Sequence, residues 1–369
     1  MTAAPPPPRF IRVPQSTLWS LARGGGGAAA VRMLRETQRS KTLLMTRAAV
    51  ESAVRHGHPE AHLAMRGYRT LRTMSVRAPA HTRRVLDSPH TGLWALRTLQ
   101  AVERGQPLPP GGLTDVIARA GGTPRPGIEA ESGGLWMSLR VDGLAGGYRP
   151  DTTPDDELRL DRWRADIAAG WQILVRHHRP VAEEFAAAMS VLVPVRRKGD
   201  GHFSATLRHA FGMLIMSRPP DGKRAALTFA HELMHAKLSA IMDLFLLVEP
   251  GVTELFHAPW RPDPRPASAL LQGIYAHLGV AAFWRRQARA ERDAVARAEA
   301  QVEFVRWGDG AARAAAALLD RDVLTPVGAR FVRQIAGELG RYLAEPVPAE
   351  IVTEARWRNE EHRRRVGGS

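Results

Sequence analysis

The feature that most constrains this chain is a histidine–glutamate–histidine motif inside an apolar helical segment. Residues 231–235 read His-Glu-Leu-Met-His, and residues 225–248 around them are mostly apolar. In a helix, residues four apart lie on the same face, one turn from each other. His231 and His235 can therefore bind one metal ion, with Glu232 beside them. Because such a cluster is costly to bury without a ligand, the motif predicts a metal centre in a folded core.

Composition restricts the chemistry of that centre. The chain of 369 residues contains no cysteine, which excludes disulfides, thiolate nucleophiles, iron–sulfur clusters and zinc sites with Cys ligands. A metal must therefore be held by His and carboxylate side chains. A hydrophobic content of 44% in a chain of this length is enough for a large core and excludes a disordered protein.

The positive charge of the chain has a compositional origin. Lys and Arg number 52 against 37 Asp and Glu, a formal net charge of +15, and nearly all of the cations are Arg residues spread along the chain. This spread predicts no nucleic-acid binding, although an acidic peptide would be attracted to the surface. The N-terminus lacks a signal-peptide pattern, and the most apolar window, residues 238–248, is shorter than the roughly 20 residues of a membrane span. We therefore expect a cytoplasmic protein without a membrane-spanning segment.

Hydrophobic periodicity predicts a mostly helical protein. Apolar residues recur at helical spacing over residues 28–120 and 155–189, and again from residue 224 onward. Three short apolar runs, which are typical of strands, are residues 135–141, 191–195 and 211–216. The predicted class is α+β, mostly helical with a small central β-sheet and the HExxH helix packed near that sheet.

Composition also predicts four regions along the chain. Residues 1–27 form a flexible Pro/Gly-rich leader, and residues 28–150 form an N-terminal helical region that includes a Gly/Pro-rich loop at 107–127. Residues 151–345 form the metal-binding core, and residues 346–369 form a basic C-terminal tail.

Two histidines do not complete a metal site, so a third ligand is needed. Leu238 and Ile241 occupy the positions where a metzincin requires Gly and His, which excludes that class. The remaining candidates are Glu254, His257 and His277. His277 lies on an apolar helical stripe, where a histidine without a partner is usually part of the core. With a buried two-histidine helix upstream, we favour it as the third metal ligand.

A proline-rich loop lies between the two helical segments. Residues 257–266 contain four prolines, which fix the backbone and would present Arg261 and Arg265 with little entropy left to lose. A guanidinium group suits bidentate capture of a carboxylate. The alternative is that either arginine is simply solvated or paired in a surface loop.

Several segments together resemble a known family. The chain is similar to the HExxH-type peptide-modification proteins found with ribosomally made peptide natural products. The resemblance covers most of residues 30–345 and is densest from 203 to 286. The segments that carry it are residues 85–90 (VLDSPH), 203–212 (FSATLRHAFG), 228–244 (TFAHELMHAKLSAIMDL), 259–266 (PWRPDPRP) and 270–278 (LLQGIYAHL).

The resemblance implies a peptide β-hydroxylase that depends on Fe(II) and 2-oxoglutarate, often encoded with or fused to a radical SAM maturase. His231 and His235 match the metal pair of the family, His277 matches its downstream histidine, and Arg265 matches the arginine of its DPRP loop. Whether Arg265 or Arg261 holds 2-oxoglutarate stays open. Imidazole ligands suit Fe(II), and three protein ligands leave coordination positions free for a keto acid and O2.

Two other functions fit the same residues. In a zinc peptidase, Glu232 would be the general base and Glu254 would complete the site. In a scaffold without catalytic activity, the chain would bring a precursor peptide to a partner maturase. The role of Glu232 as a ligand, a base or an orienting group stays open at this point. Since the chain has no cysteine, it is not itself the radical SAM enzyme.

Overall fold

A computed structural model describes residues 12–121, 127–142, 159–196 and 201–367. It confirms the predicted class: the chain is 67% helical, and its described residues form thirteen helices and a small mixed sheet of five strands. None of the helices in these ranges combines the length and apolarity needed to cross a membrane. The predicted boundary between residues 150 and 151 lies outside the described ranges.

The helices are numbered in chain order. They are α1 Gln15–Ala22, α2 Gly27–Arg55, α3 Ala61–Arg77, α4 Pro79–Asp87, α5 Pro89–Glu103, α6 Gly112–Gly121, α7 Leu160–His177, α8 Arg179–Ala188, α9 Gly222–Met242, α10 Ala267–Ala290, α11 Ala294–Leu319, α12 Pro326–Leu343 and α13 Ala349–Gly367.

The strands form one central sheet and one short ribbon. The strands of the central sheet are β1 Gly127–Ser132, β2 Leu135–Val141, β3 Val191–Val195, β4 Ser204–Ala205 and β5 Met213–Ser217, in the order β1-β2-β3-β5-β4. The inner pairs β2–β3 and β3–β5 are parallel, whereas β1 and β4 join the two edges as antiparallel strands. The ribbon pairs β6 Leu255–Phe256 with β7 Arg265–Pro266.

The two inner strands β3 and β5 are buried on both faces of the sheet. Every residue of β3 and β5 is buried, as expected for continuous apolar runs in a sheet that is covered on both sides. Leu192 and Leu214 face the core formed with α7, α8 and α9, whereas Val193 and Ile215 face a second cluster with Leu93 of α5. The predicted strands at 135–141 and 191–195 are confirmed, and the third runs from Met213 to Ser217.

Helix α9 lies between this sheet core and a larger helical core. Leu233 packs in the cluster with the sheet, and Leu238 packs in the cluster formed by α1, α10, α11 and α12. The HExxH helix is therefore packed near the sheet, as predicted. It ends at Met242 rather than continuing to residue 248, and Val248 forms an isolated β-bridge with Leu324.

Three segments are more ordered than the sequence predicts. The predicted flexible leader contains α1, whose Leu18 and Leu21 are buried against the helical core. The predicted loop at 107–127 contains α6, with Leu113 and Val116 buried at helical spacing between flanking Gly and Pro residues. The predicted C-terminal tail contains α13, which buries Ile351 in the helical core. In each case, a few well-spaced apolar residues outweigh the local composition because they gain a tertiary partner.

Candidate metal centre

Helix α9 brings the two motif histidines together. The helix begins at an N-cap in which the Asp221 side chain accepts a hydrogen bond from the backbone N–H of Arg224 at 2.7 Å. Two turns later, the Nε2 atoms of His231 and His235 lie 3.1 Å apart, with their ring planes at 77°. Two nitrogens bound at right angles to one cation, each at about 2.1 Å, would be about 3 Å apart. The separation therefore fits shared metal binding, and it is also the length of a hydrogen bond between the two rings.

A hydrogen-bond chain from α10 fixes the orientation of His235. The side-chain amide of Gln272 donates through Nε2 to Ser239 Oγ at 3.1 Å, which turns its Oε1 toward His235 Nδ1, also at 3.1 Å. His235 Nδ1 must then carry the hydrogen and donate it, because an amide oxygen only accepts. The other ring nitrogen, Nε2, keeps its lone pair, which is the tautomer a metal ligand needs.

The third histidine arrives from α10 in the same tautomer. His277 Nδ1 donates to the backbone carbonyl of Gly273 at 2.8 Å, so Nε2 keeps the lone pair. The His277 ring centroid lies 5.7 Å from that of His231. The two helices therefore place His277 beside the HExxH pair, although these residues are separated by more than forty positions in the chain.

Burial lowers the pKa of two of the three histidines, which favours the neutral form that binds metals. Burial lowers the pKa of His277 to about 4, against its hydrogen bond to Gly273, and electrostatic repulsion from His235 and Arg306 contributes further. Burial holds the pKa of His231 well below its usual value, with smaller contributions from His235 and His277. His231 and His235 nevertheless remain partly exposed, so the site has an opening to solvent.

The proline-rich loop packs directly on the third histidine. The Trp260 ring stacks on His277, with centroids 4.2 Å apart and planes at 16°, and Trp307 of α11 covers His277 from 5.0 Å. A Cβ atom at Gly273 would lie 2.3 Å from the Trp260 ring, so only glycine permits this stack. The imidazole is thus held between two indoles, which limits its rotation.

Glu232 lies next to the histidine pair, and only one of its two carboxylate oxygens accepts a hydrogen bond. Its side chain is 1% exposed, and its Oε1 accepts a hydrogen bond from Ser204 Oγ of β4 at 2.7 Å. Its Oε2 is buried and has no hydrogen-bond partner among the described residues. Since an unpaired buried carboxylate oxygen is costly, this oxygen is suited to a proton, a water molecule or a cation.

A second hydrogen-bond chain holds β4 against α9. Ser217 Oγ lies 3.1 Å from His202 Nδ1, and His202 Nε2 lies 3.0 Å from Thr228 Oγ1. Thr228 in turn donates to the carbonyl of Arg224 at 2.8 Å, so the His202 contact is accepted by its oxygen. This chain anchors the residue two positions before Ser204, and it therefore fixes the donor that Glu232 uses.

The two loop arginines are placed near the site but are engaged elsewhere. Arg261 Nε and Arg265 Nη1 both bond the carboxylate of Asp263, at 2.9 and 2.8 Å. The hydrogen bond from Arg261 lowers the pKa of Asp263. Both arginines share the loop of Trp260, which covers His277, and their role in cofactor binding stays a prediction.

The other two candidates for the third ligand lie on the surface. Glu254 is exposed and forms an ion pair with Arg321 at 3.4 Å, and His257 is exposed. Among the described residues, no three His, Asp or Glu side chains meet the geometry of a complete metal site as they stand. The histidine pair is in place, and the ring of His277 lies farther out.

Sequence reasoning missed several residues that support the site. Gln272 and Ser204 orient His235 and Glu232, and Trp260 stacks on His277. All three lie in segments that carry the family resemblance, but nothing in their spacing assigned them a role. No protein-family model matches the chain, and no curated protein matches it at a significant level.

Proposed function

We propose that this chain is an Fe(II)- and 2-oxoglutarate-dependent hydroxylase that acts on a residue of a ribosomally made precursor peptide. The observation that carries the proposal is the group of three histidines on α9 and α10, two of them held with Nε2 as the free nitrogen. Such a set suits Fe(II) and leaves coordination positions for a bidentate keto acid and O2. The resemblance of the flanking segments to peptide-modification proteins supports a peptide as substrate.

In this proposal, His231, His235 and His277 would hold the metal ion. The bound metal with 2-oxoglutarate would supply the oxidation: one atom of O2 enters a C–H bond of the peptide, the other enters succinate, and CO2 is released. Gln272 and the Gly273 carbonyl keep two of the imidazoles in the binding tautomer. These contacts correspond to the hydrogen bonds that orient histidine ligands in metal centres generally.

The remaining residues would control access and charge. Glu232, fixed through Oε1 by Ser204, would use Oε2 to hold a proton or a water molecule beside the metal ion. Trp260 and Trp307 would exclude water from the buried side of His277. Arg261 or Arg265 would have to leave Asp263 to bind the distal carboxylate of 2-oxoglutarate, because both are paired with it now. A radical SAM maturase acting on the same peptide is the partner that the resemblance implies.

A zinc peptidase is the second candidate, and one observation favours it. Glu232 lies immediately beside the histidine pair with one oxygen unpaired, which is where a general base for a metal-bound water would be needed. Its weakness is the third ligand, because Glu254 is exposed and paired with Arg321. A peptidase would need no O2 and no 2-oxoglutarate.

The test is an incubation of the iron-loaded protein with O2, 2-oxoglutarate and the precursor peptides encoded near its gene. We expect the peptide to gain the mass of one oxygen atom with one succinate formed per turnover, and His235→Ala and His277→Ala to lose both the reaction and bound iron. His257→Ala, a change at the exposed histidine of the same region, is the matched control and should retain both. Iron content and circular dichroism separate loss of metal from loss of fold.

Other results would redirect the proposal. A shortened peptide, produced equally well with zinc and without O2, would establish the peptidase instead. Peptide binding that persists in His231→Ala, with no change of peptide mass in any variant, would establish a scaffold. Full activity in His277→Ala would remove His277 from the metal site.

A further inference from the structure

A cavity lies on the far side of the helices that carry the histidines. It has a volume of about 260 Å3 and lies between α8, α9, α10, α12 and the turn that follows α1. Its floor is apolar and includes Leu233 and Met234 of α9 with Leu278 and Phe283 of α10. Clefts and cavities lined mainly by apolar side chains, with a few polar groups, are the usual form of small-molecule sites.

This cavity is distinct from the metal centre. Gly279 lines the cavity and lies two positions after His277, which is about 200° around the helix axis at 3.6 residues per turn. The cavity therefore opens on the side of α10 that faces away from His277. None of the three metal-site histidines belongs to its lining.

One wall of the cavity is held by a buried ion pair, which we call the Lys237 cluster. Lys237 is fully buried, and its Nζ donates to the carbonyls of Gly24 and Gly25 at 2.9 and 2.8 Å and to Glu184 Oε2 at 2.6 Å. Glu184 Oε1 accepts from the backbone N–H of Gly27 at 2.7 Å. Gly24, Gly25 and Glu184 line the cavity, so this wall is preformed and the negative charge of Glu184 is already balanced.

Another wall is formed by a neutral histidine. His178 stacks on Phe283 with centroids 4.4 Å apart and planes at 9°, and its Nε2 bonds Gln287 at 3.2 Å. Burial lowers the pKa of His178 to about 4. At neutral pH this wall therefore adds an apolar ring face and no charge.

The charge at the rim is positive. Glu338, the other acid of the lining, pairs with Arg341, and Arg285 of the lining pairs with Glu345. Arg23 bonds the neutral side chain of Gln334 at 2.8 Å, and Arg286 is exposed on α10. No ion pair to an acid is formed by either Arg23 or Arg286 within the described part of the chain. These two guanidinium groups can therefore receive an anion.

We propose that this cavity binds a small apolar carboxylate, with its tail between α9 and α10 and its acid group at Arg23 and Arg286. At the roughly 30 Å3 that one water-sized group occupies, the cavity holds about nine such groups, close to the size of octanoate or a short arylalkanoate. Different residues recognise the two parts of the ligand. The apolar floor contacts its tail, and the two arginines without an acidic partner bind its carboxylate. The site is independent of the function proposed for the metal centre.

The test uses the full-length metal-free protein, with octanoate and 1-octanol as probes in isothermal titration calorimetry. We expect octanoate to bind at one site per chain, and 1-octanol to bind about tenfold more weakly, because it lacks the charge-assisted hydrogen bonds. Arg286→Gln should weaken octanoate by about tenfold and leave 1-octanol unchanged. Arg292→Gln, another exposed arginine just beyond α10, is the matched control and should change neither.

A cavity-filling variant tests the location. Ala282→Leu places a larger side chain in the lining and should abolish binding of both probes, with the fold checked by circular dichroism. His231→Ala should bind octanoate like the wild type, which separates this site from the metal centre. Undiminished binding by Ala282→Leu, equal affinity for the two probes, or no octanoate binding by the wild type would each overturn the proposal. Binding of an acidic peptide without binding of octanoate would identify a peptide site instead.

Discussion

Helix α9 carries two polar clusters that differ in how completely their polar atoms are hydrogen-bonded. In the Lys237 cluster, Nζ has three acceptors and both oxygens of Glu184 have donors. In the histidine cluster, the Nε2 atoms of His231 and His235 share one hydrogen bond at 3.1 Å, and Glu232 Oε2 has no partner in the described residues. A saturated cluster holds a fold together, whereas an unsaturated one has bonding capacity left for a ligand. The same helix therefore carries a structural site and a candidate functional site.

The largest expected effect comes from breaking the saturated cluster. Lys237→Met leaves the charge of Glu184 buried with only the N–H of Gly27, and we expect it to lower the free energy of unfolding by about 3–5 kcal/mol. Urea denaturation measures this change. The double variant Lys237→Met/Glu184→Leu should recover much of the loss, because no unpaired charge then remains.

A variant in the histidine cluster serves as the control, because it should affect metal binding far more than stability. His235→Ala removes a partly exposed side chain and should cost far less stability than Lys237→Met, while metal binding is lost. If Lys237→Met and His235→Ala change stability by the same amount, the distinction between the two clusters is wrong.

A smaller effect should come from the residue that orients His235. Gln272→Ala removes the acceptor of the Nδ1–H, and we expect metal affinity to fall by roughly 10- to 100-fold with the fold retained. Competition with a chelator of known affinity measures this change. Gln287→Ala is the matched control, because Gln287 lies on the same helix and contacts His178 instead of a metal-site histidine. Equal metal affinity in Gln272→Ala and the wild type would show that the hydrogen bond does not support the ligand.

The smallest expected effect is on how the free energy of unfolding depends on pH, and it comes from the buried His178. The pKa of His178 is about 4 in the folded chain, against an ordinary value of 6.5 when unfolded. Between these values the unfolded chain binds a proton that the folded chain does not. The free energy of unfolding should therefore fall as the pH drops from 6.5 toward 4, by at most about 1.4 kcal/mol per pH unit from this residue.

Urea denaturation of the metal-free protein at several pH values measures that slope, since bound metal would add its own pH dependence. His178→Gln should reduce this slope by the contribution of one histidine, which is at most about 1.4 kcal/mol per pH unit. His62→Gln, at an exposed position of α3, is the control and should leave the slope unchanged. The same slope in His178→Gln and the wild type would contradict burial of a neutral imidazole at this position.

Much of the fold could be predicted because the pattern of apolar residues along the chain matches the burial of those residues in the structure. The strands at 135–141 and 191–195 are continuous or alternating apolar runs, and these patterns suit the central sheet that they form. The segments α1 and α6 were missed because their few apolar residues lie among Gly, Pro or Arg, whereas α13 falls in the stretch from residue 224 onward that was predicted to be mostly helical. Leu21 of α1, for example, becomes buried only when it meets the core of α10 and α12. The ordering of such short segments depends on partners that are distant in the chain.

The sequence by itself determined that His231 and His235 share a helical face, because the four-residue spacing sets their separation in any α-helix. Only the tertiary structure decided what surrounds them. His277 reaches the pair through the packing of α10 on α9, Gln272 and Ser204 supply hydrogen bonds across elements, and Trp260 stacks because Gly273 leaves room for its ring. The physical reason is that helical spacing is a local property of the backbone. Contacts between elements depend instead on how the whole core packs.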